Sequence, residues 1–196
     1  MPGTVTLASR QRRMQDFMSP NLAYRFLAIG RTSPWNDENN PPIPSEKMTE
    51  VEELIGLQRI DSYKYAKAIP NPTTLQKKTG VYYKGVYYQV TQDSSIALSE
   101  GYTSVLCSIT LDRDTVEAIP VDVTFRQVGL YVGVKATPDE IKYGITRAEW
   151  DNKIAADKGT LEVVDNRAPL RKNGGPTRTD SNYVGFLISI LNVYKL

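Results

Sequence analysis

Apolar and polar residues alternate along much of the chain, at the two-residue period of a β-strand with one buried face. Residues 103–111 are the clearest case, because Val105, Cys107 and Ile109 fall on one face of the predicted strand. Lys84 and Gly85 form a two-residue turn signal between two short apolar runs, which predicts a hairpin. The pattern predicts about eight strands in all, and these include residues 24–29, 81–83, 86–88, 121–136, 161–164 and 183–194.

Helical patterns are fewer and shorter than the strand patterns. Residues 11–18 predict one short helix, and the capping box of residues 146–149 predicts the start of another. The spacing of Val51 and Leu54, with glutamates on the outer side, predicts a third helix after Pro44. We expect this helix to cover one face of a sheet.

The excess of strands over helices predicts a mainly β fold, a sandwich-like single domain with a few short helices. Residues 1–20 are polar with scattered Met and Phe, and we predict an N-terminal arm that becomes ordered on a partner. Residues 21–196 form the predicted β-rich structural domain. Within it, residues 60–80 are expected to be an irregular connection.

A stiff loop follows the first predicted strand. Residues 30–35 (GRTSPW) lead into a polar cluster and then into residues 41–44 (PPIP). Proline fixes its own φ and restricts the residue before it, so this loop has few accessible conformations. A large indole between such flanks predicts that Trp35 is buried against the body of the domain and holds the loop in place.

Three short elements of the chain resemble a known family. Residues 30–35 together with the PPIP segment resemble the N-terminal region of the baseplate wedge proteins of contractile-tailed, T-even-like bacteriophages. Residues 125–128 (FRQV) resemble the F-R-Q-I element of that family, and residues 166–169 (NRAP) resemble its N-R-x-P element. The elements occur in the family's order in a chain much shorter than the T-even protein, so we interpret the chain as a shortened form.

The resemblance implies a non-enzymatic virion structural protein of a contractile phage tail, namely a baseplate wedge component. It implies binding to other baseplate or tail subunits, including a second copy of this chain, and a place in the virion tail after synthesis in the host cytoplasm. No cofactor is implied. The residues expected to have structural or interface roles are Arg31, Pro34, Trp35, Pro41, Pro42, Phe125, Arg126, Gln127, Asn166, Arg167 and Pro169.

The arginines of these elements, Arg31, Arg126 and Arg167, admit two interpretations. Each can join loop carbonyls or a carboxylate by bidentate hydrogen bonds, or each can be a solvated surface charge. Arg126 fits the first interpretation best, because it lies inside a predicted strand where an unpaired charge would be costly. Phe125 and Gln127 are expected on the opposite face of that strand.

The composition offers little for catalysis. The chain has no histidine, which removes the most common general base and metal ligand. Its single cysteine, Cys107, is predicted to be a buried and inert thiol. No glycine-rich phosphate loop is present. We therefore predict no enzymatic activity, no cofactor and no small-molecule substrate.

Charge and hydropathy argue against two further classes of protein. A net charge of +2 lacks the clustered cations of a nucleic-acid-binding protein, and no apolar run approaches the ~18 residues needed to span a membrane. Locally, residues 37–53 are acidic, while residues 64–84 contain five lysines and no acid. This bias suits complementary contacts between neighbouring subunits, although a solvated surface is the more common explanation.

The tyrosines leave the function partly open. Six of the twelve lie between Tyr63 and Tyr88, interleaved with lysines. They can stack on sugars or nucleobases, or they can line a sheet at a subunit contact, which we favour. Two rival functions remain beside the baseplate wedge: a neck or tail-terminator subunit of the same kind of virion, and a carbohydrate-binding β-sandwich module.

Overall fold

The computed structural model of the chain describes residues 5–18, 25–111, 119–120, 123–134, 144–152, 158–171 and 186–193. Short helices are interspersed among the strands. In chain order the elements are α1 (Leu7–Met18), β1 (Arg25–Gly30), β2 (Gly56–Arg59), β3 (Ser62–Ile69), α2 (Thr74–Thr79), β4 (Val81–Tyr83), β5 (Val86–Thr91), α3 (Ser94–Ser99), β6 (Ser104–Leu111), β7 (Thr124–Val132), β8 (Gly144–Thr146), α4 (Arg147–Asn152), β9 (Thr160–Arg171) and β10 (Phe186–Val193).

The described strands form two sheets of five strands each. The first sheet has the order β8-β2-β1-β7-β9, and the second has the order β10-β6-β3-β5-β4. In the first sheet, β1 pairs antiparallel with β2 on one side and with β7 on the other. The prediction of a mainly β fold with a few short helices is confirmed, and two antiparallel sheets are what a sandwich-like fold requires.

The chain divides into two compact units. The first unit combines Met1–Leu22, Ser62–Cys107 and Leu191–Leu196, and the second combines Ala23–Asp61 and Ser108–Ile190. Each unit has its own apolar cluster. The boundary at residue 20 between an arm and a β-rich domain stays a prediction.

Helix α1 belongs to the first unit and buries its apolar side there. Met14 and Phe17 are buried, and the Phe17 ring meets the Tyr63 ring edge-on with 6.3 Å between centroids. The side-chain amide of Gln11 donates a 2.7 Å hydrogen bond to the carbonyl oxygen of Leu98. The helix predicted over residues 11–18 is confirmed.

The helix predicted after Pro44 is wrong. Residues 45–55 form turns at residues 46–47 and 52–53 with irregular backbone between them, and β2 begins directly after residue 55. Glu53 has a φ of +45°, which no α-helix allows, and the Ile55 amide donates to the carbonyl of Ile29 at 2.8 Å instead of to a preceding turn. The helix-like spacing of apolar residues arises because the loop folds back over the sheet and buries Val51.

Two further segments differ from the prediction. Residues 60–80 contain β3 and α2, because the Pro-Asn-Pro signal that suggested irregular structure comes only after β3 has ended. Strand β9 runs far beyond the predicted residues 161–164, because it pairs along most of β7. Parts of other predictions lie outside the described residues, namely residues 1–4, 19–20, 24, 121–122, 135–136, 183–185 and 194.

Two local predictions are confirmed. Lys84 and Gly85 have φ values of +45° and +84° and form the turn between β4 and β5. At the start of α4, the Thr146 amide donates to a Glu149 carboxylate oxygen at 2.9 Å, and the Glu149 amide donates to the Thr146 hydroxyl at 3.2 Å. None of the helices in the described ranges has the length and apolar character needed to cross a membrane.

Candidate assembly interface

The loop between β1 and β2, residues 31–55, packs closely on the first sheet and is called the proline loop below. The Val51 amide donates a 3.1 Å hydrogen bond to the Tyr131 hydroxyl. A Cβ added at Gly30 or at Gly129 would lie 2.4 Å from a methyl group of Val51. These two glycines therefore allow the loop to approach the sheet.

Trp35 holds the first half of the proline loop. Its indole Nε1 donates a 2.9 Å hydrogen bond to the carbonyl oxygen of Arg167 on β9. The guanidinium of Arg31 lies over the indole ring, 3.7 Å from its centroid, which is a favourable cation–π position. Trp35 is 8% exposed, so the side chain is buried within its own unit, as predicted.

Arg31 joins the two ends of the proline loop. Its amide donates to the carbonyl oxygen of Glu52 at 2.7 Å, and its guanidinium forms an ion pair with the Glu52 carboxylate. Arg31 has a φ of +54°, a conformation that costs energy for a non-glycine residue. The stacking on Trp35 and the pair with Glu52 offset this cost.

The carboxylate of Glu53 organises the turn that follows Arg31. One of its oxygens accepts hydrogen bonds from the Thr32 amide at 2.9 Å, the Thr32 hydroxyl at 2.6 Å and the Ser33 amide at 2.9 Å. Hydrogen bonds from the side chains and backbone amides of Ser33 and Thr32 lower the pKa of Glu53 to about 2. The carboxylate is therefore ionised at neutral pH and acts as a fixed acceptor.

Arg126 connects β7 to the middle of the proline loop. Its Nε donates to both carboxylate oxygens of Glu38, at 2.8 and 2.9 Å, and its Nη2 lies 2.7 Å from one of them. Its Nη1 donates to the carbonyl oxygen of Thr32. The hydrogen bond from Arg126 lowers the pKa of Glu38. Arg126 thus joins a carboxylate and a loop carbonyl, which is the first of the two interpretations above.

A relay of amide groups extends from the proline loop through the sheet and back to the loop. The Glu52 amide donates to Gln127 Oε1 at 2.7 Å, and Gln127 Nε2 donates to Asn166 Oδ1 at 2.7 Å. Asn166 Nδ2 then donates to the carbonyl oxygen of Pro42 at 2.8 Å. Gln127 and Asn166 are both buried, so the relay satisfies amides that would be costly to leave unpaired.

Arg167 lies beside the relay on β9. Its Nε donates to Asp165 Oδ2 at 2.8 Å, and its Nη2 donates to the carbonyl oxygen of Ser189 on β10. Asp165 is buried, and a buried carboxylate needs such a charged partner. Arg167 therefore contributes its backbone carbonyl to Trp35 and its side chain to β10.

The remaining predicted residues divide into buried and exposed ones. Phe125 is fully buried on β7. Pro41 is half-buried, while Pro34, Pro42 and Pro169 are exposed. Between Pro42 and Pro44 lies Ile43, which is 94% exposed and was not among the predicted site residues. A lone apolar residue between prolines was the sequence signal available for it.

The two tryptophans do not present a ring surface to solvent. Trp150 is buried in the core of the second unit, where its ring meets the Tyr131 ring edge-on with 5.1 Å between centroids. Burial raises the pKa of Tyr131 to about 12, so its hydroxyl stays neutral. Stacking of a sugar ring on Trp35 or Trp150 would require the core to open.

The arrangement positions a loop and offers no reactive group. Across the described residues, no group of three or more His, Cys, Asp or Glu side chains lies together as metal ligands would. Cys107 is buried. Hydrogen bonds at Trp35, Glu38, Pro42 and Glu52 fix the proline loop on the first sheet.

Comparison with known proteins gives two matches, and both are to virion components. The family described as "Baseplate wedge 3 tail fiber network component" matches residues 5–184. The chain is also similar to "Virion protein 3" of Enterococcus phage phiEF24C, with 25% identity over 144 residues that cover 72% of each chain.

Proposed function

Because the chain belongs to the family of the baseplate wedge 3 tail fiber network component, we propose that it binds other wedge subunits, among them a second copy of itself. It is a structural component of the phage baseplate, and its place is the virion tail. The proposal includes synthesis in the host cytoplasm and the absence of an enzymatic role. The family's structural character and a sequence without histidine support the latter.

The observation that carries the proposal is the position of Ile43. The side chain is 94% exposed, yet the preceding Pro42 carbonyl is held by Asn166 at 2.8 Å, and the backbone is stiffened by prolines on both sides. An apolar side chain on a backbone that is already fixed adds little loss of backbone entropy on binding. Such a residue suits the buried centre of a permanent interface.

The rest of the proline loop supports the same function. The bonds from Arg126, Asn166 and Arg31 connect the loop to its own unit and leave Pro34 and Pro42 exposed. A preorganised loop of this kind is expected in a subunit whose contacts are permanent, because the ordering cost is met during folding. We infer that Pro34, Pro42 and Ile43 contact a neighbouring wedge subunit.

Competition for places in the virion tests the proposal. A phage whose own copy of the gene is disabled would be complemented with equal amounts of wild-type and Ile43→Asp subunits, and the ratio of the two in purified virions would be measured by mass spectrometry. We expect Ile43→Asp to be depleted by about tenfold or more, as for a central interface residue. The Ile43→Val variant is the matched control and should compete equally.

The same experiment can contradict the proposal. Equal incorporation of Ile43→Asp and wild type would show that the tip of the proline loop is not an interface. Absence of the subunit from purified baseplates would contradict the whole assignment. Thermal melting of each isolated variant verifies that depletion does not come from unfolding, since Ile43 makes little contact with its own unit.

A further inference from the structure

The hairpin of β4 and β5 leaves an open strand edge in the first unit. Strand β4 is the last strand in its sheet, and its register pairs Tyr82 with Tyr87 and Tyr83 with Val86. In a hairpin with a two-residue turn, the pair next to the turn exchanges both hydrogen bonds and the following pair exchanges none. The backbone N–H and C=O of Tyr82 therefore point away from β5, and within the described parts of the chain neither has a partner.

Exposed aromatic and aliphatic side chains lie on β4 and on the helix that precedes it in the chain. Tyr82 is 62% exposed, and its ring lies 4.8 Å from the ring of Tyr87 on the same face of the hairpin. Leu75 on α2, shortly before β4, is 69% exposed. Exposed aromatic and aliphatic side chains of this kind are typical of the centre of protein interfaces.

Lysine side chains lie on the chain segments at both ends of β4. Lys77 and Lys78 occupy the last turn of α2, directly before the strand, and Lys84 lies in the turn after it. No acid occurs between residues 62 and 92. Lys77 and Lys78 are exposed and form no ion pair with any described residue, so their charge is available to an acidic partner.

Three carboxylates of this chain are poor candidates for that partner. In the proline loop, Glu38 pairs with Arg126, Glu52 pairs with Arg31 and Glu50 pairs with Lys158. A second copy would have to give up its own ion pairs to supply these carboxylates.

We propose that β4 accepts an acidic, extended segment of a different baseplate protein as an added strand. The segment would bond to the backbone groups of Tyr82 that face away from β5, cover the Tyr82 side chain, and place acids near Lys77, Lys78 and Lys84. A three-residue strand spans about 10 Å, so one short segment reaches the cations at both ends. This inference rests on the proposed function, because it needs neighbouring wedge subunits.

Proline substitution at Tyr82 separates backbone pairing from side-chain contact. Tyr82→Pro removes an N–H that β5 does not use, and proline is tolerated on edge strands for this reason. Tyr82→Thr removes the aromatic ring and keeps the N–H. In the virion competition described above, we expect Tyr82→Pro to be depleted about tenfold relative to Tyr82→Thr. The pyrrolidine ring of the proline would block an added strand, and the backbone hydrogen bond from the residue 82 N–H would be lost.

Charge reversal tests the acidic character of the partner. The double variant Lys77→Glu, Lys78→Glu should be incorporated more slowly than wild type during assembly in vitro from wedge proteins, with the larger effect at low salt. The matched control is Arg12→Glu, Arg13→Glu, which reverses another adjacent pair of exposed cations in the same unit. Equal effects of the two pairs at every salt concentration would overturn the charge argument.

A photo-crosslinking amino acid at position 82 identifies the occupant in intact virions. Cross-links to an acidic segment of another baseplate protein support the proposal. Cross-links to a second copy of this chain, cross-links to nucleic acid, or assembled virions without any cross-link overturn it. If Tyr82→Pro and Tyr82→Thr are incorporated equally while Ile43→Asp is depleted, the added strand is wrong and the proposed function stands.

Discussion

The indole Nε1 of Trp35 donates its hydrogen bond to the backbone of Arg167, 132 residues further along the chain. The same region contains the bond between Gln127 and Asn166. The three sequence elements that resemble the wedge family, around residues 35, 126 and 167, therefore meet at one place in the second unit. Together these elements hold the proline loop in place, so we expect a change in any of them to affect the position of the loop.

Loss of the Trp35 side chain should destabilise the subunit itself. Trp35→Ala removes a buried aromatic ring, and we expect a loss of about 3–5 kcal/mol in the free energy of unfolding. Trp35→Phe keeps most of the packing beside Arg31 and loses the bond to Arg167, so about 1 kcal/mol is expected. Urea denaturation of the isolated subunit measures both. A Trp35→Ala variant that unfolds at the parental urea concentration yet fails to assemble would make Trp35 an interface residue instead.

The amide relay should behave as one unit when its members are changed. Gln127→Leu removes the acceptor of the Glu52 amide and the donor to Asn166 Oδ1, and each buried polar group that loses its hydrogen bond costs about 1–3 kcal/mol. The double variant with Asn166→Leu should lose less stability than the sum of the two single variants, because each single change breaks the Gln127–Asn166 bond and the double variant breaks it only once. Chemical denaturation of the four proteins completes the cycle. Additive losses would show that the two amides act independently.

Local signals are enough to predict the parts of the site that depend on one residue and its neighbours. Trp35 is flanked by prolines, and Arg126 lies inside a strand where an unpaired charge is costly; both are placed as predicted. Their partners are not predictable in this way. Glu38 lies 88 residues from Arg126, and no periodicity in the sequence relates the two.

The acidic end of the proline loop shows why the helix prediction fails. Val51 and Leu54 have helical spacing, so the prediction places Glu52 and Glu53 on a solvated outer face. In the structure Glu52 pairs with Arg31, and Glu53 bonds to the turn at Thr32. Tertiary hydrogen bonds decide the backbone of this segment, and a local pattern does not contain them.

The acid stability of the proline loop should depend on Glu53. Its pKa in the folded state, about 2, is lower than the ordinary value of a glutamate, so the ionised form stabilises the fold at neutral pH. This stabilisation is present above the ordinary value and is lost as pH falls from there through about 2. Glu53→Gln should therefore be less stable than wild type at pH 7, and the difference should shrink towards pH 2–3.

Thermal melting at a series of pH values measures this difference. Glu46→Gln, at an exposed glutamate of the same loop that has no hydrogen-bond partner among the described residues, is the matched control and should leave the pH dependence of melting unchanged. A Glu53→Gln curve parallel to that of wild type from pH 7 to pH 3 would contradict the role of the carboxylate.

The close approach of the proline loop to the sheet makes Gly129 a sensitive position. A Cβ there would lie 2.4 Å from a methyl group of Val51 and 2.9 Å from one of Leu161. Val51 is stiff because it is β-branched, and its amide is bonded to Tyr131, so the loop cannot move away without loss. We expect Gly129→Ala to cost about 1–3 kcal/mol, as overpacking does in other cores.

Shortening Val51 should relieve the clash. Val51→Ala alone leaves a cavity and destabilises the subunit. Together with Gly129→Ala, it makes room for the new methyl group. The double variant should therefore be more stable than the sum of the two single losses predicts. Denaturation measures the stabilities. The virion competition adds a second readout, because a loop displaced by Gly129→Ala also displaces Ile43 and should reduce incorporation, while the double variant should recover it. Additive stabilities with full incorporation of Gly129→Ala would show that the loop and the sheet are not coupled at this contact.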